Sequence, residues 1–346
     1  METLRFRHSE VERLVSIIMP MRNGYRFLDK ALAGINGQTY TRWELIVVED
    51  GSNDGSEALL RDFAAKHPNN RVLYLQNEQS GGAAYSRNRA FQEAKGQFVA
   101  CLDCDDYWTS SHLESGVEAL EASVSDVAYS SVVMFADSDH SLVGIWGPTL
   151  PELNAFPQSL FGRNFVTPSA LVVRRSVIGE IGPWSAKYLY CADYDFVMRA
   201  AMARKRFEYI GGVQCLYRKE HAEALTQRMA ETIEEAVIVA ESFLGMPSTR
   251  VKSCQKCLAT SLSSAAKLHV VNKAERDPSA QPSRAALLYF KAWRTRPKRV
   301  KNLLHAALCA LRFGVAPGFV PVDRPNLPLA SPTTRSEIKH AGLAAA

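Results

Sequence analysis

Short, unbroken apolar runs alternate with amphipathic stretches through the first third of the chain. The runs are Leu14-Val15-Ser16-Ile17-Ile18-Met19, Leu45-Ile46-Val47-Val48, Val72-Leu73-Tyr74-Leu75 and Phe98-Val99-Ala100-Cys101-Leu102; the first ends at Pro20 and the second at the acidic pair Glu49-Asp50. Runs of this length without polar alternation suit strands covered on both faces, as in a parallel sheet. Between them Phe27, Leu28, Ala31, Leu32 and Ile35 recur at helical spacing, as do Ala58, Leu59 and Phe63, and residues 80–95 read as a glycine-led helix start. Strand alternating with helix predicts right-handed βαβ crossovers, and so an α/β fold with a mostly parallel central sheet. Ligands of such sheets bind beyond the carboxyl ends of the strands, so the polar residues after each run carry the chemistry.

The second half is less regular. Residues 126–135, 170–173 and 207–213 read as strands and 192–203 as a helix. Leu225, Met229, Ile233, Val237, Ala240 and Leu244 mark a long amphipathic helix. Helical sequence continues to about Phe313, with breaks at Pro247, Pro278 to Pro282 and Pro297, and the Pro-, Ser- and Ala-rich residues after Pro317 read as a disordered tail.

Composition narrows the class. With 346 residues, 47% hydrophobic and 22% charged, the chain can bury a sizeable core, and its net charge of +5 is mild. Residues 1–12 are charged and lack an apolar stretch, so no secretory signal is expected. No run of about 18 apolar residues predicts a membrane-spanning helix. The seven cysteines show no paired framework; Cys254 and Cys257 form a lone CxxC without the second pair of a structural zinc site. Reduced thiols and a cytoplasmic location are expected.

Four polar clusters follow the four apolar runs: Pro20-Met21-Arg22-Asn23; Glu49 to Ser56; Gly81-Gly82 with Arg87; and Asp103-Cys104-Asp105-Asp106. The second is also ordinary turn chemistry, and Gly81-Gly82 is either a plain helix start or a place where backbone approaches a ligand closely. With Arg87 a turn inside that helix, it suits an anion. Three carboxylates within four residues repel one another unless solvated or sharing a hard divalent cation, which can in turn hold a diphosphate. GxGxxG is absent after the first run and GxxxxGK[ST] is absent throughout, which argues against nicotinamide and P-loop enzymes. Asp193 opens a helix as either an N-cap or a general base. Tyr217-Arg218-Lys219-Glu220-His221 closes the series.

In this order and spacing, from about Leu14 to Thr226, the clusters resemble the GT-A-fold glycosyltransferases of family 2. Residues 15–56 look like the family's opening βαβ unit, residues 81–88 like its next motif, and Asp103-Cys104-Asp105-Asp106 like its DxDD metal motif. The resemblance implies an inverting transferase that moves a hexosyl or N-acetylhexosaminyl group from a nucleotide diphosphate donor, a UDP-sugar first, to a glycan or lipid-linked hydroxyl acceptor. It implies that Pro20, Met21, Arg22, Asn23 and Asp50 hold base and ribose, that Gly81, Gly82, Arg87, Asp103 and Cys104 contact the nucleotide-sugar, and that Asp105 and His221 meet Mn²⁺ or Mg²⁺. Arg218 is expected near the diphosphate. Asp193 is the implied base, and Thr167, Ser169, Trp184 and Ala192 are placed at the acceptor. Glu49 stands for the more usual Asp, and Ala192 for the Glu that precedes the base.

The implied organisation is a catalytic domain over residues 1–221, split into a nucleotide-binding half (about 14–107) and an acceptor half (about 108–221). A helical extension follows over 222–316, then the tail over 317–346. From 284 to 312 there are eight Lys or Arg and no acid, with Leu, Phe and Trp interleaved. That pattern suits a helical pair on an anionic membrane surface, at the inner face of the cell membrane, or equally a solvated basic face; nucleic acid is not expected. The rival readings are a nucleotidyltransferase of related fold, for which Arg22 alone is a poor triphosphate motif, and a non-catalytic nucleotide-sugar-binding relative.

Overall fold

The computed structural model describes residues 13–219, 228–244, 246, 251–270, 282–297 and 300–311. The first four apolar runs become β1 (Val15–Met21), β2 (Trp43–Asp50), β3 (Val72–Asn77) and β4 (Phe98–Cys101), joined by α1 (Tyr25–Asn36), α2 (Ser56–Lys66) and α3 (Gly82–Glu93). They pair in parallel in the order β3-β2-β1-β4. Then come β5 (Tyr107–Trp108), α4 (His112–Ala122), β6 (Val127–Ala136), β7 (Leu142–Trp146), α5 (Leu150–Asn154), β8 (Leu171–Arg174), α6 (Arg175–Ile181), α7 (Ala192–Met202) and β9 (Phe207–Lys219). The sheet continues β8-β6-β9-β5, with β7 also on β6. Here pairing is mixed: β8 is antiparallel to β4 and β6, β9 is parallel to β6, and β5 is antiparallel to β9.

β1 is buried along its whole length and feeds both faces. Val15, Ile17, Met19 and Met21 point to the apolar cluster under α1, α2 and α4, and Ile18 to the cluster shared with α3, α6 and α7. Each fully buried Leu or Ile contributes about 2 kcal/mol. Ser16, the polar break in the first run, is satisfied inside: its hydroxyl donates to Glu44 at 2.6 Å and accepts the Gly96 N–H at 2.8 Å.

Several boundaries differ from expectation. β1 runs through Pro20 to Met21, because β4 pairs with β1 only up to Ile18 and Pro20 lies beyond that ladder. Glu49 and Asp50 end β2 from within, paired with Gln76 and Asn77. β9 passes the expected end at Val213 and reaches Lys219. Gly211 and Gly212 have φ of +70° and +59°, and the β6–β9 register shifts there, so the glycines form a bulge that keeps the strand going.

After β9 come α8 (Met229–Ser242), α9 (Val251–Val270), α10 (Pro282–Thr295) and α11 (Val300–Leu311). Pro282 opens α10, and Pro297 lies between α10 and α11. The expected start of the long helix at Leu225 and the tail after Pro317 lie outside the described residues. Val237, Ala240, Cys254, Leu258 and Leu262 of α8 and α9 belong to the same buried cluster as Tyr194, Phe196 and Val197 of α7. The C-terminal helices thus share their core with α7.

Candidate active site

The ends of β1 and β2 are stitched together by their own loops. The Asn23 N–H donates to Ser52 Oγ at 2.8 Å and the Tyr25 N–H to Asp54 Oδ2 at 2.8 Å. Gly51, at φ +73°, lies so close to the 79–80 backbone that a Cβ would stand 2.7 Å from Ser80 N. Arg22 and Asn23 are exposed here. Pro20 and Met21 are not: both side chains are buried in β1 and pack there.

Asp50 is buried at the junction of β2 and α3. Its Oδ1 accepts from Asn77 Nδ2 (2.7 Å), the Gly81 N–H (2.9 Å) and Ser86 Oγ (3.1 Å), and its Oδ2 from Ser80 Oγ (2.7 Å) and the Gly82 N–H (2.9 Å). Burial alone would raise its pKa, but the bonds from Ser80, Gly81, Asn77 and Gly82 outweigh it and hold the carboxyl below its ordinary value. Asp50 therefore caps α3, and the Gly81 and Gly82 amides face this carboxylate, which already supplies the negative charge expected there from a phosphate. Glu49 points the other way. It accepts from the Ser52 hydroxyl, its Oε2 has no partner among the described residues, and burial with nearby Asp54 and Asp50 pushes its carboxyl up to about 7.

The acidic segment after β4 alternates. Asp103 and Asp105 are part-exposed, while Cys104 and Asp106 are buried. Arg87, on α3, is buried and pairs with Asp103 at 2.5 Å. Burial opposes the Arg87 charge, but Asp103 and Cys101 more than offset it and its pKa is raised; burial raises that of Asp103, partly relieved by Arg87. Cys104 faces the apolar cluster, near enough that a Cβ on Gly24 would lie 3.1 Å from its sulfur, so its thiol is a packing group. Ser169, expected at the acceptor, is fully buried. Its hydroxyl accepts the Asp103 N–H at 3.1 Å and its carbonyl accepts Trp108 Nε1–H at 2.6 Å, so it props the acidic segment from behind.

Arg218, delivered by the extra length of β9, is buried too. Its backbone N–H donates to Asp106 Oδ1 (3.0 Å), Nε to the Asp105 carbonyl (3.0 Å) and Nη1 to Asp137 (2.7 Å), while Phe27 and Phe135 flank the guanidinium at 4.9 and 4.8 Å. It braces the acidic segment. His221 lies outside the described residues.

Asp193 is in the first turn of α7, whose N-cap is Cys191; Asp193 is therefore not the cap. The charges of Arg87 and Asp103 act on it, so these groups from α3 and the segment after β4 lie within electrostatic reach of the start of α7. Burial raises its carboxyl to about 6, with Arg87 opposing the rise. Asn164 Nδ2 donates to Asp193 Oδ2 at 3.2 Å, and the Asn164 oxygen accepts the Val166 N–H at 3.1 Å, which fixes which way the amide faces. Asn164 went unnoticed in the sequence because it stands in an irregular loop with no periodicity. Trp184, expected at the acceptor, is 2% exposed and stacks on Phe196 at 4.6 Å, so its indole is core. Ala192 is buried, and Thr167 is half-buried with its hydroxyl oxygen unpartnered among the described residues.

The model of Glycosyl transferase family 2 matches residues 16–182. WfaP of Escherichia coli, named a UDP-Glc:α-D-GlcNAc-diphosphoundecaprenol β-1,3-glucosyltransferase, is 30% identical over 191 residues, 55% of this chain and 73% of that protein. The chain belongs to glycosyltransferase family 2. WfgD, an E. coli protein with the same activity in its name, is 37% identical over 107 residues, 31% of this family 2 chain and 41% of that protein. The chain spans about half the length of the curated relatives TuaG and WfgD, 54% and 41% respectively. Staphylococcus aureus TarS 1–349, solved with UDP-GlcNAc, aligns with a TM-score of 0.62 at 18% identity, covering 86% of this chain and 90% of that one. The mannosyltransferase PcManGT of Pyrobaculum calidifontis, solved with GDP-Man and Mn²⁺, aligns at 0.54 and 19%, covering 86% and 87%. These likenesses show the GT-A fold.

A divalent cation would find few protein ligands in this family 2 site. No group of three His, Cys, Asp or Glu stands ready to hold a metal among the described residues. Asp103 is engaged by Arg87, and Asp106 is buried. A part-exposed carboxylate at Asp105 suits an ion that arrives with a diphosphate and takes most of its oxygens from it, as Mg²⁺ commonly does.

Proposed function

We propose that this chain is an inverting glycosyltransferase of polysaccharide synthesis. Its donor is a UDP-sugar and its acceptor a hydroxyl of a glycan or lipid-linked saccharide. The reading rests on one observation above the rest: the pair that buried Arg87 makes with Asp103 after β4 lies within electrostatic reach of Asp193, whose carboxylate is oriented by Asn164. The names of WfaP and TarS, with UDP-Glc and UDP-GlcNAc in them, favour uridine, and the diphosphoundecaprenol in the name of WfaP favours a lipid-linked acceptor.

An acceptor hydroxyl is a poor nucleophile until its proton is taken. Asp193 accepts that proton as the acceptor oxygen bonds to the anomeric carbon, and the bond from that carbon to the diphosphate breaks on the opposite face, leaving the nucleoside diphosphate with the electron pair. One displacement inverts the centre. A carboxyl near pKa 6 is ionised at neutral pH, yet is a stronger base than an exposed aspartate. Asn164 fixes one carboxylate oxygen. Arg87 supplies a permanent positive charge beside the donor through its pair with Asp103. Asp105 would hold a Mn²⁺ or Mg²⁺ ion, which would supply positive charge to stabilise the leaving group. Arg22 and Asn23, exposed at the end of β1, are the contacts left for the base and ribose. Replacing Asp193 by Asn should leave UDP affinity within twofold and lower turnover about 10²–10⁴-fold, the usual worth of a general base. Near-native turnover in a folded variant would refute the reading.

The basic segment over 284–312 completes it. Phe290, Lys291, Arg294, Lys301, Leu303 and Leu304 are exposed on α10 and α11, so apolar and cationic side chains share the surface of that hairpin. No helix among the described residues is long and apolar enough to cross a membrane. We assign this face to an anionic bilayer, where a lipid-linked acceptor would be presented.

A further inference from the structure

We infer that Glu235, on the first helix of the C-terminal extension, is the positioning residue for Asp193; this rests on Asp193 being the base. A helix start leaves backbone N–H groups without partners, and α7 has no side-chain cap of its own. The segment leading into it is gripped from α8 instead. Glu235 Oε1 accepts the Leu189 N–H at 2.9 Å, and its Oε2 accepts the N–H groups of Tyr190 and Cys191 at 2.6 and 2.7 Å. Asp193 is two residues further on. The grip extends along α8: Tyr190 Oη donates to Glu231 at 2.6 Å and the Cys191 thiol to the Thr232 carbonyl at 3.3 Å. Behind these contacts Val237 and Ala240 of α8 pack in one cluster with Tyr188, Cys191 and Tyr194. Ala192 itself has nothing with which to hold the helix start.

Bonds from three backbone donors to one carboxylate are charge-assisted and directional, so they set both the register and the tilt of the first turn of α7. The other side of the base is also held from the extension. Ser261 of α9 donates to the Gly162 carbonyl at 2.8 Å, two residues before Asn164. The extension therefore serves the chemistry as well as the core. A displacement of about 1 Å at a reacting group costs on the order of 100-fold in rate.

The test uses the full chain with Glu235→Ala and the isosteric Glu235→Gln. Turnover is read as Mn²⁺-dependent UDP release from UDP-glucose and UDP-GlcNAc, UDP affinity by calorimetry, and the helix start by hydrogen exchange of residues 189–195. Glu235→Ala should speed exchange there and slow UDP release about 10- to 100-fold, with UDP affinity within twofold. Glu235→Gln, which keeps one acceptor oxygen, should recover part of the rate. Placed on Asp193→Asn, Glu235→Ala should cost no further rate. Unchanged turnover in folded Glu235→Ala overturns the proposal, as does an equal loss on the Asp193→Asn background or a matching loss of UDP affinity. If Asp193→Asn alone keeps native turnover, the base assignment has failed instead, and the exchange data still report whether Glu235 holds the helix.

Discussion

The nucleotide half and the acceptor half of this molecule hold their carboxylates by different means. Asp50 is held by donors from one neighbouring stretch, residues 77–86, which also forms the start of the next helix. Asp193 is held by groups scattered along the chain: Asn164 from an irregular loop and, through the backbone before it, Glu235 from another helix. A strand-loop-helix unit can carry its own support in one contiguous motif. A carboxylate presented by a helix that begins in a loop has to borrow support from elsewhere, and here it borrows from the C-terminal helices. The nucleotide half is accordingly the more self-contained of the two.

The sharpest separation of the halves is kinetic. Asp193→Asn should lose most of the turnover, as above, and leave the melting curve close to native. Asp50→Ala should do the reverse. It strips the cap from α3 and strands buried donors, so a destabilisation of about 3 kcal/mol is expected by chemical denaturation. Equal behaviour of the two variants would erase the distinction.

Much of the first half was legible in the sequence. The four apolar runs became four parallel strands, and the polar segments that follow them lie at the ends of those strands. What the sequence did not reveal was the direction of side chains. Burial changes from one residue to the next: Met21 closes β1, which is buried on both faces, whereas Arg22 just beyond the strand is exposed. The same holds for Cys104 between two part-exposed aspartates. Trp184 and Ser169 stand near motif residues in the chain, but each is consumed by packing or by the backbone of the acidic segment. β9 was expected to end at Val213, whereas the Gly211-Gly212 bulge preserves pairing and the strand goes on to carry Arg218 to the acidic segment. Asn164 and Glu235 follow no period, and their partners are remote in sequence.

Smaller effects refine the picture through pH. Glu49 is raised by burial to about 7. The folded state therefore binds its proton more tightly than the unfolded chain does. Stability linked to this group is fully present below the ordinary glutamate range and is lost as pH rises through 7. Glu49→Gln should gain about 2 kcal/mol over the parent at pH 8 and much less at pH 5, as read by urea melts at both values. Asp50 has the opposite sign, because its carboxyl is lowered: its contribution is present at neutral pH and is lost as the solution is acidified through its folded value. The acid limb of kcat/KM should fall near pH 6, where Asp193 gains its proton. The weakest expected effect is at the membrane. Replacing Lys291, Arg294 and Lys301 by Gln should reduce flotation with vesicles containing phosphatidylserine by about 1 kcal/mol per charge. It should leave UDP release in solution unchanged.

The central claim is geometric, and a crystal structure of Asp193→Asn with UDP-GlcNAc and Mn²⁺ tests it most directly. The account requires the diphosphate beside Asp105 and the side chain at 193 across the sugar from it, with room for one hydroxyl oxygen between that side chain and the anomeric carbon. A donor bound with residue 193 on the diphosphate side of the sugar, or outside the cleft altogether, would contradict it.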